Sequence, residues 1–238
     1  LLHLARAGDL LAGDAGSVSR HRLRHPALAR TGHPLSARLG GHDLADFTGA
    51  DLVVVSPGVP LALPEIAEAR RQGVPVLGEV ELGWRLLPSP PPVVGITGTN
   101  GKSTTTALAG AIFQQDRRAF VGGNLGTPLC ELVLQGRVTD VLVLELSSFQ
   151  LEGIERLRPA VGACLNVTPD HLDRYRDLDG YAAAKARLFS TQQPGDFAVA
   201  NAADPRSLVL AASSRGQRWT FGFGPAEAAA IRDPSGEA

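Results

Sequence analysis

From about residue 51 onward, short apolar runs alternate with amphipathic stretches in a strand–helix rhythm. Leu52–Val55 is a buried strand, and Ser56-Pro57-Gly58 forms a tight turn at its carboxyl end, where open α/β sheets bind ligands. Pro64 opens a helix through Arg71 that Gly73 ends, 74–77 is a short strand, and 79–87 is helical. Residues 88–92 then hold four prolines in five positions, a stiff extended linker. Val93, Val94 and Ile96 suit a central parallel strand, and Ala107, Leu108, Ala111 and Ile112 recur at helical spacing after it. Further strands are expected at 119–121, 141–146, 161–167, 197–200 and 217–221, with helices at 179–190 and 205–212. A helix start is also expected at Thr168-Pro169, with Thr168 as cap and Pro169 in the first position. The pattern predicts an α/β protein built on mainly parallel sheets.

Residues 1–49 lack a clear strand signal and hold five of the six histidines: His3, His21, His25, His33 and His42. Only His21 and His25 are four apart, and no carboxylate accompanies them, so a metal centre is not expected there. The glycines of Gly13-Asp14-Ala15-Gly16 follow no apolar strand and make a poor phosphate loop.

Composition narrows the class. The 238 residues are 44% hydrophobic and 20% charged, an ordinary globular balance, and a net charge of −1 gives no reason to expect nucleic acid. Two cysteines imply no disulfide framework, and no apolar run nears the roughly 20 residues of a membrane span. A cytoplasmic enzyme that acts on small-molecule substrates as a monomer, without nucleic-acid or membrane partners, is the expectation.

The chemistry concentrates on Gly98-Thr99-Asn100-Gly101-Lys102-Ser103-Thr104, a glycine-bearing turn between strand and helix. Backbone N–H groups at such a helix start, aided by its dipole, receive phosphate. Lys102 can place its charge on the β/γ-phosphates, and Ser103 can offer a hydroxyl to Mg²⁺. Position 96 is Ile where the usual phosphate loop has its first glycine. Glu145, near the end of an apolar strand, is costly to bury unless paired or metal-bound, which makes it a Mg²⁺ ligand candidate. Asn124, in a glycine-rich loop, either bonds a ligand or sits in a plain turn. Ser147 and Ser148 suit a structural cap. His171, just past a strand end, suits a metal or substrate. Lys185 falls on the inward stripe with Tyr181, Ala184 and Leu188, either snorkelling past the core or aimed at the site.

Taken together, Gly98–Thr104, Leu144-Glu145-Leu146-Ser147-Ser148-Phe149-Gln150-Leu151 and the run Asn166 to Tyr175 resemble the Mur ligases, in particular the branch that adds D-glutamate. Ser56-Pro57-Gly58, Gly123-Asn124-Leu125-Gly126 and Tyr181-x-x-x-Lys185 fall in that family's order, and the likeness covers roughly residues 50–222. The resemblance implies a Rossmann-like domain for the UDP substrate at 1–87, incomplete or divergent, a linker at 88–92, and a truncated phosphate-loop ATP domain at 93–238. The amino-acid-binding domain is expected to be absent, and the fragment alone inactive. The implied reaction is ATP-dependent amide formation between UDP-N-acetylmuramoyl-L-alanine and D-glutamate through an acyl phosphate, with two Mg²⁺ ions. Lys102, Glu145, His171 and Lys185 are the implied catalytic residues. Ser103 and Glu145 are implied holders of one metal, His171 and a carbamylated Lys185 of the other. Ser56, Pro57, Gly58, Asn124 and His171 are the implied substrate contacts. Another Mur ligase, a folylpolyglutamate synthase-like enzyme or an inactive nucleotide-binding remnant are the alternatives.

Overall fold

The structure, a computed structural model, describes the backbone of residues 2–6, 9–14 and 35–39 and every residue from 41 to 222. Two sheets organise it. The first has five strands in the order β3-β2-β1-β4-β5: β1 Leu2–Arg6, β2 Asp9–Asp14, β3 Leu35–Leu39, β4 Leu52–Val55 and β5 Val76–Gly78. It is mixed, because β1 runs antiparallel to both β2 and β4, while β2–β3 and β4–β5 are parallel. Helices α1 (Leu44–Thr48) and α2 (Pro64–Arg71) pack on it around Phe47, Val53, Val55, Ile66 and Val76. The three strands before residue 40 correct the expectation of no strand signal there. Their sequences are poor in β-branched residues, and they form by pairing rather than by local preference. Gly13 and Asp14 end β2; His21, His25, His33, Ala15 and Gly16 lie outside the described residues.

The second sheet has six strands, all parallel, in the order β11-β10-β9-β6-β8-β7. They are β6 Val93–Thr97, β7 Ala119–Gly123, β8 Val141–Glu145, β9 Pro159–Cys164, β10 Phe197–Asn201 and β11 Gln217–Phe221. The helices are α3 (Glu79–Leu86), α4 (Lys102–Phe113), α5 (Leu129–Gln135), α6 (Ser148–Glu152), α7 (Leu178–Ala186) and α8 (Pro205–Ala212). β8 is buried along its whole length, as a strand covered on both faces must be. Leu142 and Leu144 enter one core cluster with Tyr181 and Leu188; Val141 and Val143 enter the other, under Ala109 and Phe113 of α4.

Helix α4 presses on the sheet through Thr106 and Gly110, and a Cβ on Gly110 would lie 2.3 Å from a Val121 methyl. The Leu108 and Ile112 stripe that marks the helix in sequence therefore faces outward, each residue being 61% exposed. Helix α3, although it precedes the prolines, shares the core of the second sheet through Val80. The fully buried Glu81 carboxylate fixes it there, accepting from the backbone N–H of Glu155, Arg156 and Leu157 at 3.0 Å each and from Arg85 at 2.6 Å. Among the described residues no helix is long and apolar enough to cross a membrane.

Two local expectations need correction. No helix starts at Thr168: the chain runs irregularly from Leu165 to Asp177, and α7 begins at Leu178 with Asp177 as its cap, donated to by the Gly180 N–H. Thr168 cannot cap there, because its N–H and carbonyl are both engaged by the Thr99 hydroxyl, and His171 adopts φ 52. The strand expected through Val167 also ends early, at Cys164. The 179–190 helix tightens into a 3₁₀ turn at Arg187–Phe189.

Candidate functional site

The site forms at the carboxyl ends of β6, β8 and β9. β6 delivers Thr97, whose hydroxyl donates to the Leu146 carbonyl at 2.7 Å and ties the loop's entrance to the end of β8. Gly101, at φ 82, caps α4 in a left-handed conformation that a side chain would strain. Lys102 folds back over the loop, its ammonium donating to the carbonyls of Gly98 and Thr99 at 2.8 Å each. Ser103 and Thr104 are exposed on the first turn of α4.

Asn166 holds the loop from the β9 side. Its Oδ1 accepts from the N–H of Thr99 (3.0 Å) and Asn100 (2.9 Å), and its Nδ2 donates to the Asn100 carbonyl at 3.1 Å. The sequence reading assigned Asn166 no role. It heads the run that carries the family resemblance, but its partners lie 66–67 positions away, so nothing local tells what it bonds.

Glu145 ends β8 opposite Ile96 of β6 and is 2% exposed. Its Oε1 accepts from Asn124 Nδ2 at 2.7 Å, whereas the equally buried Oε2 has no hydrogen-bond partner among the described residues. A buried carboxylate oxygen without a donor is costly, and a hard cation satisfies it, so the residue fits a Mg²⁺ ligand. The glycines before Asn124 are required by packing: a Cβ on Gly123, at φ 95, would meet the Glu145 carbonyl at 2.4 Å. Asn124 N–H donates to that same carbonyl at 2.9 Å. Ser147 caps α6 in a reciprocal box with Gln150, the structural role its position suggested.

Lys185 is 1% exposed, and its amine donates to the Gly98 carbonyl at 2.9 Å and to the Thr97 hydroxyl at 3.4 Å. It therefore does not snorkel; it meets the phosphate loop from below, over the Tyr181 ring at 4.6 Å. Burial, and then the nearby Lys102 charge, lower its pKa from 10.5 to about 8. His171 flanks the same tyrosine, ring centroids 6.1 Å apart, and packs on Phe149 at 4.8 Å, with its side chain 45% exposed. Thr99, Tyr181, His171 and Lys185 thus converge, with the Thr99 and Tyr181 oxygens 3.4 Å apart.

The Ser56–Gly58 turn is closed by the Val59 N–H on the Ser56 carbonyl at 2.9 Å. Its Ser56 and Pro57 share a small crevice with Phe149 and Gln150. His42 packs edge-on against Phe47, and among the described residues no group of three His, Cys, Asp or Glu could hold a metal by itself.

A parallel sheet whose first strand feeds a glycine-bearing loop and helix, with a buried acid on the neighbouring strand, defines a phosphate-loop nucleotide-binding protein. Family models add the rest: the Mur ligase middle domain matches residues 96–235, and the MurD-like N-terminal domain of Mur ligases matches 15–78. The chain belongs to the Mur ligase family. It is 68% identical over 211 residues to the UDP-N-acetylmuramoylalanine–D-glutamate ligase of Anaeromyxobacter dehalogenans, covering 89% of this chain and 46% of that protein. It is 55% identical over 214 residues to the ligase of the same name from Myxococcus xanthus, covering 90% and 45%. The chain spans about half the length of the curated relatives it matches. Among solved structures, the UDP-N-acetylmuramate:L-alanyl-gamma-D-glutamyl-meso-diaminopimelate ligase of Neisseria meningitides shares the fold, with TM-score 0.54 at 18% identity over 94% of this chain and 76% of that one.

Proposed function

We propose that this chain supplies the UDP-substrate and ATP-binding parts of an ATP-dependent ligase that adds D-glutamate to UDP-N-acetylmuramoyl-L-alanine, a step in building the peptidoglycan precursor. The observation that carries the reading is the buried Lys185 amine on the Gly98 carbonyl, which sets a second, tunable charge beneath the phosphate loop. High identity to relatives of that name supports the choice of D-glutamate over other amines. Residues 1–87 serve the UDP substrate through the Ser56-Pro57-Gly58 turn, 88–92 link, and 93–238 serve ATP while contributing Asn124 and His171 to the UDP substrate.

In this reading a carboxylate oxygen of the alanyl group takes the γ-phosphoryl of ATP and ADP leaves. The amine of D-glutamate then attacks the acyl carbon, inorganic phosphate departs, and the amine loses a proton. Phosphoryl transfer demands alignment and charge neutralisation more than a covalent catalyst. The Gly98–Thr104 backbone and Lys102 hold the phosphates. Ser103 and Glu145 would hold one Mg²⁺, and His171 with a Lys185 carbamate the other; bound Mg²⁺ supplies charge neutralisation at the phosphates. A pKa of about 8 leaves part of the Lys185 amine neutral near physiological pH, the form that adds CO₂ and releases a proton to give an anionic carbamate.

The protein at the length of its relatives is expected to release phosphate from ATP only when both UDP-N-acetylmuramoyl-L-alanine and D-glutamate are present, in a coupled phosphate assay. Equal turnover with another amino acid, or with a folate in place of the UDP substrate, would refute the assignment.

A further inference from the structure

Arg174 lies in the irregular segment after β9, three residues past His171, and its guanidinium bridges helix α6 and the turn after β4. Its Nη2 donates to Glu152 on α6 at 2.9 Å, an ion pair with side chains only 14% and 20% exposed. The same group reaches the turn after β4: Nη1 donates to the carbonyls of Pro57 and Gly58, and Nη2 to that of Val59, all at 3.4 Å. Its carbon sits over the Phe149 ring at 4.3 Å. Phe149 is also the ring on which His171 packs, and the N–H groups of Arg174 and Tyr175 both donate to the His171 carbonyl at 3.0 Å.

Three successive carbonyls of one turn therefore converge on a side chain whose own backbone and stacking partner hold His171. Only a planar fork with several donors can serve three carbonyls and a carboxylate at once; a lysine ammonium is a single point charge with three donors. At 3.4 Å the turn contacts are long for hydrogen bonds and weaker than the 2.9 Å pair with Glu152. A cleft of ≈ 320 Å³ lies beside the clasp, lined by Pro60–Ala62, Glu152, Arg174, Tyr175 and Arg187.

We infer that Arg174 is a positioning residue that couples the Ser56–Val59 turn to the His171 loop, so that engagement of the UDP-sugar at the turn sets His171 for reaction. The inference rests on the substrate reading of that turn proposed above. Arg174→Ala is expected to weaken binding of UDP-N-acetylmuramoyl-L-alanine at least about tenfold, the loss of charge-assisted contacts, while Mg·ADP affinity stays within about twofold. Arg174→Lys, which keeps the charge opposite Glu152, is expected to fall between, and added guanidinium to restore part of the alanine variant's affinity.

Calorimetry with each ligand, alongside thermal melting, tests this. No binding of the UDP substrate by the parent protein overturns the functional reading and this inference with it. Binding by the parent that Arg174→Ala and Arg174→Lys leave unchanged overturns the inference alone. A parallel fall in both affinities and in melting temperature also overturns it, because that is the signature of a merely structural arginine.

Discussion

In the protein at the length of its relatives, Lys185→Ala is expected to lower ligase turnover by about 10²–10³-fold, the usual effect of removing one group that stabilises developing charge in a closed site. The alanine variant leaves the Gly98 carbonyl to Lys102 alone, removes the amine's contact with the Thr97 hydroxyl, and removes the carbamate that would face the metal. Acetate or propionate in the buffer is expected to restore part of the activity, because a small carboxylate refills the vacated anionic position. The pH dependence has a definite sign. Acid protonates the Lys185 amine, the ammonium cannot add CO₂, and the reactive fraction falls about tenfold per unit below its pKa of about 8. Activation of the CO₂-depleted protein by bicarbonate should therefore be fast at pH 8.5 and slow at pH 6.5. Steady-state assays over that range, with and without carboxylates, check this; unchanged turnover in Lys185→Ala would mean the buried amine is only a structural donor.

Lys102→Ala is expected to weaken Mg·ADP binding by about 10- to 150-fold, from the roughly 1.5–3 kcal/mol of a charge-assisted contact. At present the Lys102 ammonium is held by two loop carbonyls, so moving one donor to a phosphate exchanges a neutral partner for a charged one. The variant has a second consequence. Lys102's charge helps depress the Lys185 pKa, so its removal should raise that pKa and shift bicarbonate activation to higher pH. Calorimetry with Mg·ADP and with the UDP substrate separates the effects, since only the nucleotide should suffer. Equal nucleotide affinity in both proteins would contradict the loop assignment.

Much of the second sheet was legible because its strands are apolar runs bounded by glycine and proline. The helix at 205–212 and the strand at 217–221 fall where the pattern put them. The inward stripe of Tyr181, Ala184, Lys185 and Leu188 is buried as expected. Periodicity finds a helix but not which face a neighbour covers. Leu108 and Ile112 point outward because the sheet needs Gly110, the smallest residue, at the contact. The strands before residue 40 carry no local signal, and pairing alone defines them. The false helix start at Thr168 had correct capping residues, but Thr99, distant in sequence, claims that backbone. Asn166 and Arg174 received no role although they lie in the run that carries the family resemblance, because Thr99 and Asn100 lie 66–67 positions from Asn166 and the Pro57–Val59 carbonyls 115–117 from Arg174.

The acyl-phosphate route is the claim on which every assigned role depends, and isotope transfer tests it most directly. UDP-N-acetylmuramoyl-L-alanine labelled with ¹⁸O in its alanyl carboxylate would be turned over with ATP and D-glutamate, and the inorganic phosphate examined by mass. Activation by phosphoryl transfer requires one labelled carboxylate oxygen to leave with phosphate. Phosphate free of label, with product formed, would contradict the account.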